Sequence, residues 1–279
     1  MKIAFQGERG AFSEEATRAV FDAPDLQPVA TFEDVFEAVT RGTVERAVIP
    51  IENSIFGSVG LNYDLLRAHD VQIVRELRLR IRHQLLGMAG SALDAIDVVR
   101  SHPQALGQCR RFLRTHLPDA RTEAVYDTAG AARTVADTGD PAIAAIASRA
   151  AADQYALQVL RAGIEDNAEN YTRFLVLAPS AMDRPAPDAE ALKTSVAFGL
   201  RENVPGALFK ALAVFALREL DLYKIESRPR VGQPGQYLFY LDVEGAADDD
   251  AVDRALGHLS EIATELQVLG SYPLGETIE

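Results

Sequence analysis

Short apolar runs alternate along this chain with stretches whose apolar residues recur three or four positions apart, the pattern of strands interleaved with amphipathic helices. Lys2 to Phe5 reads as a strand, Gly7 and Gly10 open a turn, and Ser13 caps a helix with Glu14 and Glu15 in its first turn. Thr31 caps a second helix, from Phe32 to about Arg41, stopped by Gly42. A strand from Arg46 to Ile51 then delivers Glu52, Asn53 and Ser54 into a loop closed by Gly57. Leu61, Leu65 and Leu66 mark the buried face of a helix ending near His69, and the alternating segment Val71 to Leu79 is expected to cross into a second lobe.

In that lobe a strand-helix unit repeats three times. Ile96 to Arg100 is a strand ending at Ser101 and His102, and Pro103 takes the first helical position that proline favours. Ala105, Leu106, Cys109, Phe112 and Leu113 form the apolar face of its helix, with Gln104 and Gln108 one turn apart beside it. A strand ending at Tyr126 leads to a helix capped by Asp127 or Thr128, and Ala142 to Ala147 leads to one capped by Ser148. Such repeats predict a mostly parallel sheet with right-handed crossovers. The chain returns to the first lobe through Asn170 to Leu177, where Asn170, Thr172 and Arg173 stand at the mouth of the apolar strand Phe174 to Leu177. Loops at strand ends line the ligand crevice of open α/β sheets, so these residues and Glu52 to Ser54 are read as two walls of one cleft. The hydroxyl, amide and guanidinium of Thr172, Asn170 and Arg173 suit a ligand carrying carboxylates. A plain strand entry and an Asx-capped turn suit the same residues.

Residues 179–192 are rich in proline and alanine without an apolar period, as in a linker. Beyond them a strand from Thr194 to Leu200 precedes a helix begun by Pro205 and carrying Leu208, Leu212, Phe215 and Leu220. Strands Leu222 to Glu226 and Gln236 to Val243, a helix after Asp248 to Asp250, and a strand from Val268 to Tyr272 complete a βαββαβ order of ferredoxin-like type.

At 279 residues and 48% apolar content the chain has material for two or three cores and is not a disordered protein. No apolar run approaches the ~18 residues of a membrane helix, and the opening MKIAFQGERG is a strand and turn with no signal-peptide core, so a cytoplasmic location is expected. A net charge of −13 disfavours nucleic acid and membrane partners. The single Cys109 cannot form an internal disulfide, and nothing in sequence activates it. The five histidines lack metal-ligand spacing, and the first glycine turn lacks the spacing of a phosphate or dinucleotide loop, so no metal or cofactor is expected.

Five segments carry a more specific signal in a fixed order: GERGAFSEEA, PIENSIFGSV, SHPQALGQC, DTAGAA and NYTRF. Together they make the chain similar to the prephenate dehydratase family over nearly its whole length. Gly206-Ala207-Leu208-Phe209 and Glu226-Ser227-Arg228-Pro229 match motifs of that family's C-terminal ACT domain. Glu8 and Ala11 depart from the family's usual proline and threonine, and Asp127 from its serine. Because the first strand begins at Lys2, no chorismate mutase segment is expected ahead of it.

The resemblance implies a two-lobed α/β catalytic domain resembling periplasmic binding proteins over 1–178, followed by an α+β ferredoxin-like ACT domain over 193–279. Lobe one is expected at about 1–76 and 158–178, and lobe two at about 77–157. It implies cofactor-free conversion of prephenate to phenylpyruvate, water and carbon dioxide. The same elimination on arogenate, and non-catalytic ligand capture, are the alternatives. Thr172 is the implied catalytic residue. Glu52, Asn53, Ser54, Ser101, Gln108, Thr128, Asn170, Arg173 and Phe174 are the implied substrate contacts. Phenylalanine is the implied effector, at Gly206, Ala207, Leu208, Phe209, Glu226, Ser227, Arg228 and Pro229 of a homodimer or homotetramer.

Overall fold

The computed structural model describes residues 1–180, 191–201, 204–230 and 232–279, so most of the expected linker lies outside the described residues. The chain opens with β1 (Lys2–Gln6), α1 (Phe12–Val20), β2 (Asp25–Val29), α2 (Phe32–Thr40), β3 (Arg46–Asn53), β4 (Gly57–Ser58), α3 (Gly60–Ala68) and β5 (Val71–Arg80). It continues with β6 (Gln84–Gly87), β7 (Val98–Ser101), α4 (Pro103–Gln108), α5 (Arg110–His116), β8 (Arg121–Ala124), α6 (Thr128–Thr138), β9 (Ile143–Ala147), α7 (Arg149–Gln154), β10 (Gln158–Ala162) and β11 (Tyr171–Pro179). The C-terminal part holds β12 (Leu192–Leu200), α8 (Ala207–Ala216), β13 (Leu222–Pro229), β14 (Tyr237–Glu244), α9 (Asp250–Ile262), β15 (Ala263–Pro273) and β16 (Glu276–Ile278).

Three sheets organise these elements. The first lobe is ordered β16-β5-β11-β3-β1-β2 with β4 on β3, the second β10-β6-β9-β7-β8, and the C-terminal sheet β13-β14-β12-β15. The last of these has the βαββαβ order expected from its sequence. Both lobes are mixed rather than mostly parallel. Strand β11 runs antiparallel to β3 and β5, and β6 runs antiparallel to β9 and β10. The lobe boundaries also shift. Strand β5 stays in the first sheet to Arg80 and β10 belongs to the second, so the chain crosses between lobes at 81–83 and returns at 163–170. These two crossovers pair with each other, Ile81 N donating to Asn170 O and Ile164 N to His83 O.

Local chemistry accounts for the element ends. Thr31 and Asp34 form a reciprocal capping box on α2, and Asp127 and Ser148 cap α6 and α7 through their side chains. Ala11, not Ser13, is the cap residue of α1, and Ser13 is buried inside the first turn. The helix expected through Cys109 breaks there into α4 and α5. The first turn, through Gly7 and Gly10 at positive φ, reaches across to the second lobe. A Cβ at Gly10 would lie 2.6 Å from the Ala151 Cα, and this close approach lets Ser148 Oγ donate to Gly10 O at 2.6 Å.

Strand periodicity divides the C-terminal sheet between two cores. Val196, Phe198, Phe239 and Leu241 pack under α8 and α9, while Ala197, Leu238, Tyr240 and Tyr272 point the other way and join Ile49, Ile51, Ile73 and Leu175 of the first lobe. The contact is close enough that a methyl at Gly270 of β15 would overlap the Ile73 carbonyl of β5. After the C-terminal sheet, β16 returns to pair in parallel with β5, so residues 276–278 belong to the sheet of the first lobe. Among the described residues no helix is long and apolar enough to cross a membrane.

Candidate active site

A cleft of about 400 Å³ lies where β3, β11, the crossovers and the N-terminal ends of α1, α4 and α6 meet. Its position follows from register. Thr172 of β11 sits opposite Asn53 of β3, and Arg173 opposite Glu52. Successive strand residues face opposite sides of a sheet, so Thr172, Phe174 and Asn53 line the cleft while Arg173 and Glu52 face away from it.

The polar groups of the cleft form one hydrogen-bonded chain. Asn53 Oδ1 accepts from the backbone N–H groups of Ile55 and Phe56, both at 3.0 Å, which fixes the orientation of its amide. Its Nδ2 then donates to Asn170 Oδ1 at 2.8 Å and to Thr172 Oγ1 at 3.0 Å. Gln108 Nε2 donates to the same Asn170 oxygen at 3.3 Å, and Gln108 Oε1 meets His83 Nε2 at 2.5 Å. Since the Thr172 oxygen accepts from Asn53, its own hydrogen is free to be donated into the cleft.

Among the described residues lining this cleft no side chain is lysine or arginine. Helix N-termini face it instead: Phe12 and Ser13 stand in the first turn of α1, and Thr128 is the first residue of α6, whose cap Asp127 places a carboxylate in the lining. His102 caps α4 through Nδ1, which accepts from Gln104 N at 3.3 Å. Burial lowers the pKa of both His102 and His83, opposed by Asp127 for the first and by the Gln108 hydrogen bond for the second. Burial pushes the Cys109 thiol far above its usual range, so it is a core residue and no nucleophile.

The structure corrects several expected contacts. Arg173 is buried in an ion cluster behind the cleft, its Nε 2.6 Å from Glu76 and its Nη1 2.7 Å from Asp242, with Nη2 donating to the Tyr272 hydroxyl at 3.0 Å. Lys193 completes the cluster, 2.7 Å from Glu76. Burial works against the charge on Arg173, but Tyr272, Asp242 and Glu76 outweigh it and hold its pKa well above the ordinary arginine value. Its guanidinium is therefore a clamp between the first lobe and the C-terminal sheet, not a ligand for a carboxylate in the cleft. Glu52 pairs with Lys224 at 3.0 Å, and Ser54 donates to Glu169 O at 2.8 Å. Both line a second cavity, of about 440 Å³, on the far side of the sheet. Ser101 is fully buried and donates to Ile146 O at 2.6 Å, bracing β7 against β9.

Four expected residues, Asn53, Gln108, Thr128 and Phe174, line the cleft together with Thr172, and Asn170 lies buried just behind them. Sequence reasoning missed His83, Phe12, Ser13, Phe56 and Tyr126, which also line it. His83 sits between Arg82 and Gln84 just past an alternating strand, and only knowledge that the chain crosses between lobes there marks it out. In the C-terminal sheet Glu226 accepts from Ser58 Oγ at 2.8 Å, and Arg228 pairs with Asp64 at 2.8 Å. Ser58 itself lines the cleft.

The family model described as prephenate dehydratase matches residues 3–182. Arogenate dehydratase/prephenate dehydratase 2, chloroplastic, of Arabidopsis thaliana is 46% identical, the match covering 100% of this chain and 74% of that protein. Arogenate dehydratase 2 of Petunia hybrida is 47% identical over 98% of this chain and 72% of its own length. Among solved structures, a prephenate dehydratase in complex with L-Phe from Arthrobacter aurescens has a TM-score of 0.91 at 33% identity, over 98% of this chain and 90% of that one. GqqA, described as a novel type of quorum quenching acylase, has a TM-score of 0.89 at 34% identity, over 98% of both chains.

Arg173→Met leaves Glu76 and Asp242 with Lys193 as the one remaining cation of the cluster, and is expected to cost about 3–5 kcal/mol in urea unfolding. Because burial lowers the His83 pKa, the unfolded chain binds a proton below roughly pH 6.5 that the native state does not, and stability is lost as pH falls through that point. His83→Gln should flatten the dependence of unfolding free energy on pH between roughly 5 and 7.

Proposed function

The chain belongs to the prephenate dehydratase family, and we propose that it eliminates the ring hydroxyl and ring carboxylate of prephenate, giving phenylpyruvate, water and carbon dioxide. It is a lyase. The observation that carries the reading is the Thr172 hydroxyl in the cleft, whose oxygen accepts from Asn53 and so leaves its hydrogen available to a ligand. In the elimination the carboxylate leaves as carbon dioxide, its electron pair completes the aromatic ring, and the hydroxyl departs with one added proton as water. A hydrogen bond from Thr172 to the departing oxygen stabilises the charge developing there. Threonine is too weak an acid to ionise freely, so the proton is drawn ultimately from solvent.

The lack of a lysine or arginine among the described lining residues suits this chemistry. An ion pair to the departing carboxylate would stabilise the ground state more than a transition state in which that charge is moving into the ring. Helix N-termini and neutral donors orient the dianion without that penalty. Arogenate, with an ammonium group in place of the keto oxygen, is the second reading, favoured by the names of the relatives from Arabidopsis and Petunia. A serine or cysteine acylase is not favoured, since Cys109 is inert and Ser101 is spent on Ile146.

The same proposal makes the C-terminal domain an ACT sensor of phenylalanine in a cytoplasmic homodimer or homotetramer. Its support is the bound L-Phe of the Arthrobacter relative, the apolar exposure of Phe209 (74%) and Ile225 (45%), and the contact between Glu226 and Ser58. Phenylalanine held by Gly206 to Phe209 and Glu226 to Pro229 would compete for Glu226 and so release a residue of the cleft.

Purified protein should form phenylpyruvate from prephenate, and Thr172→Ala should lower kcat by roughly 10²-fold or more with little change in Tm. A stable variant with wild-type kcat removes threonine from the mechanism. Phenylalanine should inhibit turnover and raise Tm. In Ser58→Ala it should still raise Tm while inhibiting less, and equal inhibition would remove this route of coupling.

A further inference from the structure

Two buried polar atoms near the cleft lack a partner, His83 Nδ1 and Asn170 Nδ2, and the direction of the hydrogen-bond chain explains both. The backbone N–H groups of Ile55 and Phe56 fix Asn53 Oδ1, so Asn53 can only donate toward Asn170. Asn170 must therefore present its oxygen, which leaves Nδ2 unpaired. Gln108 in turn must present its Nε2 to that oxygen and its Oε1 to His83. An amide oxygen accepts, so His83 must carry its hydrogen on Nε2 and leave Nδ1 bare. The tautomer is thus dictated by two backbone amides at the far end of the chain.

The location gives this order a purpose. His83 stands on the outgoing crossover and Asn170 on the returning one, while Gln108 ends α4 of the second lobe and Asn53 and Thr172 belong to the first. The chain spans both crossovers and both lobes and ends on the Thr172 oxygen. His83 is only 2% exposed, with its ring in edge contact with Phe12 and its backbone N–H donating to Glu165, so the imidazole has little freedom to turn.

We propose that His83 is a positioning residue for the elimination: its Nε2–H locks Gln108 and Asn170, and through Asn53 holds the Thr172 hydroxyl with its hydrogen aimed into the cleft. The proposal rests on the dehydratase reading for its consequence, though not for the tautomer itself. His83 acts through other groups and transfers no proton. Neutral and protonated imidazole both donate from Nε2, so kcat should show no limb from this histidine.

The test combines kinetics with NMR of the intact protein. His83→Phe keeps the ring and removes the donor, and should lower kcat roughly tenfold to a hundredfold with KM changed less than about threefold. His83→Gln places an amide N–H near the Nε2 position and should recover most of that loss. Histidine ¹⁵N shifts of the wild type at neutral pH should report the Nε2–H tautomer for the signal that disappears in His83→Gln. Undiminished kcat in His83→Phe, an equal loss in both variants with an altered pH profile, or an Nδ1–H tautomer would each overturn the proposal. Wild-type turnover of prephenate and arogenate is measured alongside. Its absence would count against the dehydratase reading, while the tautomer would still be decided by the shifts.

Discussion

The buried cluster of Arg173, Glu76, Asp242 and Lys193 is the interaction on which the arrangement of this molecule rests. Two cations and two anions from four strands of two sheets meet out of water, and each alone would be costly to bury. The cluster is satisfied only when the C-terminal sheet lies against the first lobe, because Asp242 and Lys193 come from one side and Arg173 and Glu76 from the other. Ser195, Tyr272 and the Gly275 N–H add hydrogen bonds to it, with Ser195 Oγ 2.5 Å from both Asp242 Oδ1 and the Tyr272 hydroxyl. Apolar contacts around it supply area, and the charges supply the requirement for one particular docking. Strand β11 therefore presents the cleft hydroxyl of Thr172 on one face and the structural cation of Arg173 on the other.

The same alternation separates two electrostatic environments across one sheet. Behind β11 lie charged side chains and a polar cavity. In front lies a cleft whose described lining offers amides, hydroxyls, aromatic rings, two imidazoles, helix ends and a single carboxylate, that of Asp127. Neutral dipoles fixed by backbone geometry need no reorganisation as charge moves through a substrate, whereas long charged side chains would have to be held in place.

Much of this was legible beforehand because it depends on local pattern. Thr31 as a cap, a cap at Asp127 or Thr128, the apolar run after Thr172, and the βαββαβ order all follow from short-range chemistry. The order of five motifs located the cleft residues Asn53, Gln108 and Thr172. Arg173 was misread because a guanidinium at a strand mouth invites a ligand role, and its partners Glu76 and Asp242 lie 97 and 69 positions away. Side-chain alternation could have flagged it, since neighbours on a strand cannot share a face. Glu52 and Ser54 were misread for the same reason. The antiparallel placement of β11, the hidden role of His83 and the return of β16 are products of tertiary pairing, which periodicity does not encode.

That returning strand changes what kind of object the C-terminal domain is. Residues 192–273 leave the first lobe after β11 and come back to it as β16 beside β5, so topologically they form a long loop between two strands of one sheet. Such a domain is not a detachable module. A catalytic fragment cut after β11 would bare the edge of β5 and leave Arg173 and Glu76 facing solvent without Asp242 and Lys193, a surface prone to pairing with other chains. Held by the ion cluster and by the pairing of β16, the domain is tied to β11 and β5 together. The modularity suggested by two consecutive domains in the sequence is thus limited by three residues near the end of the chain.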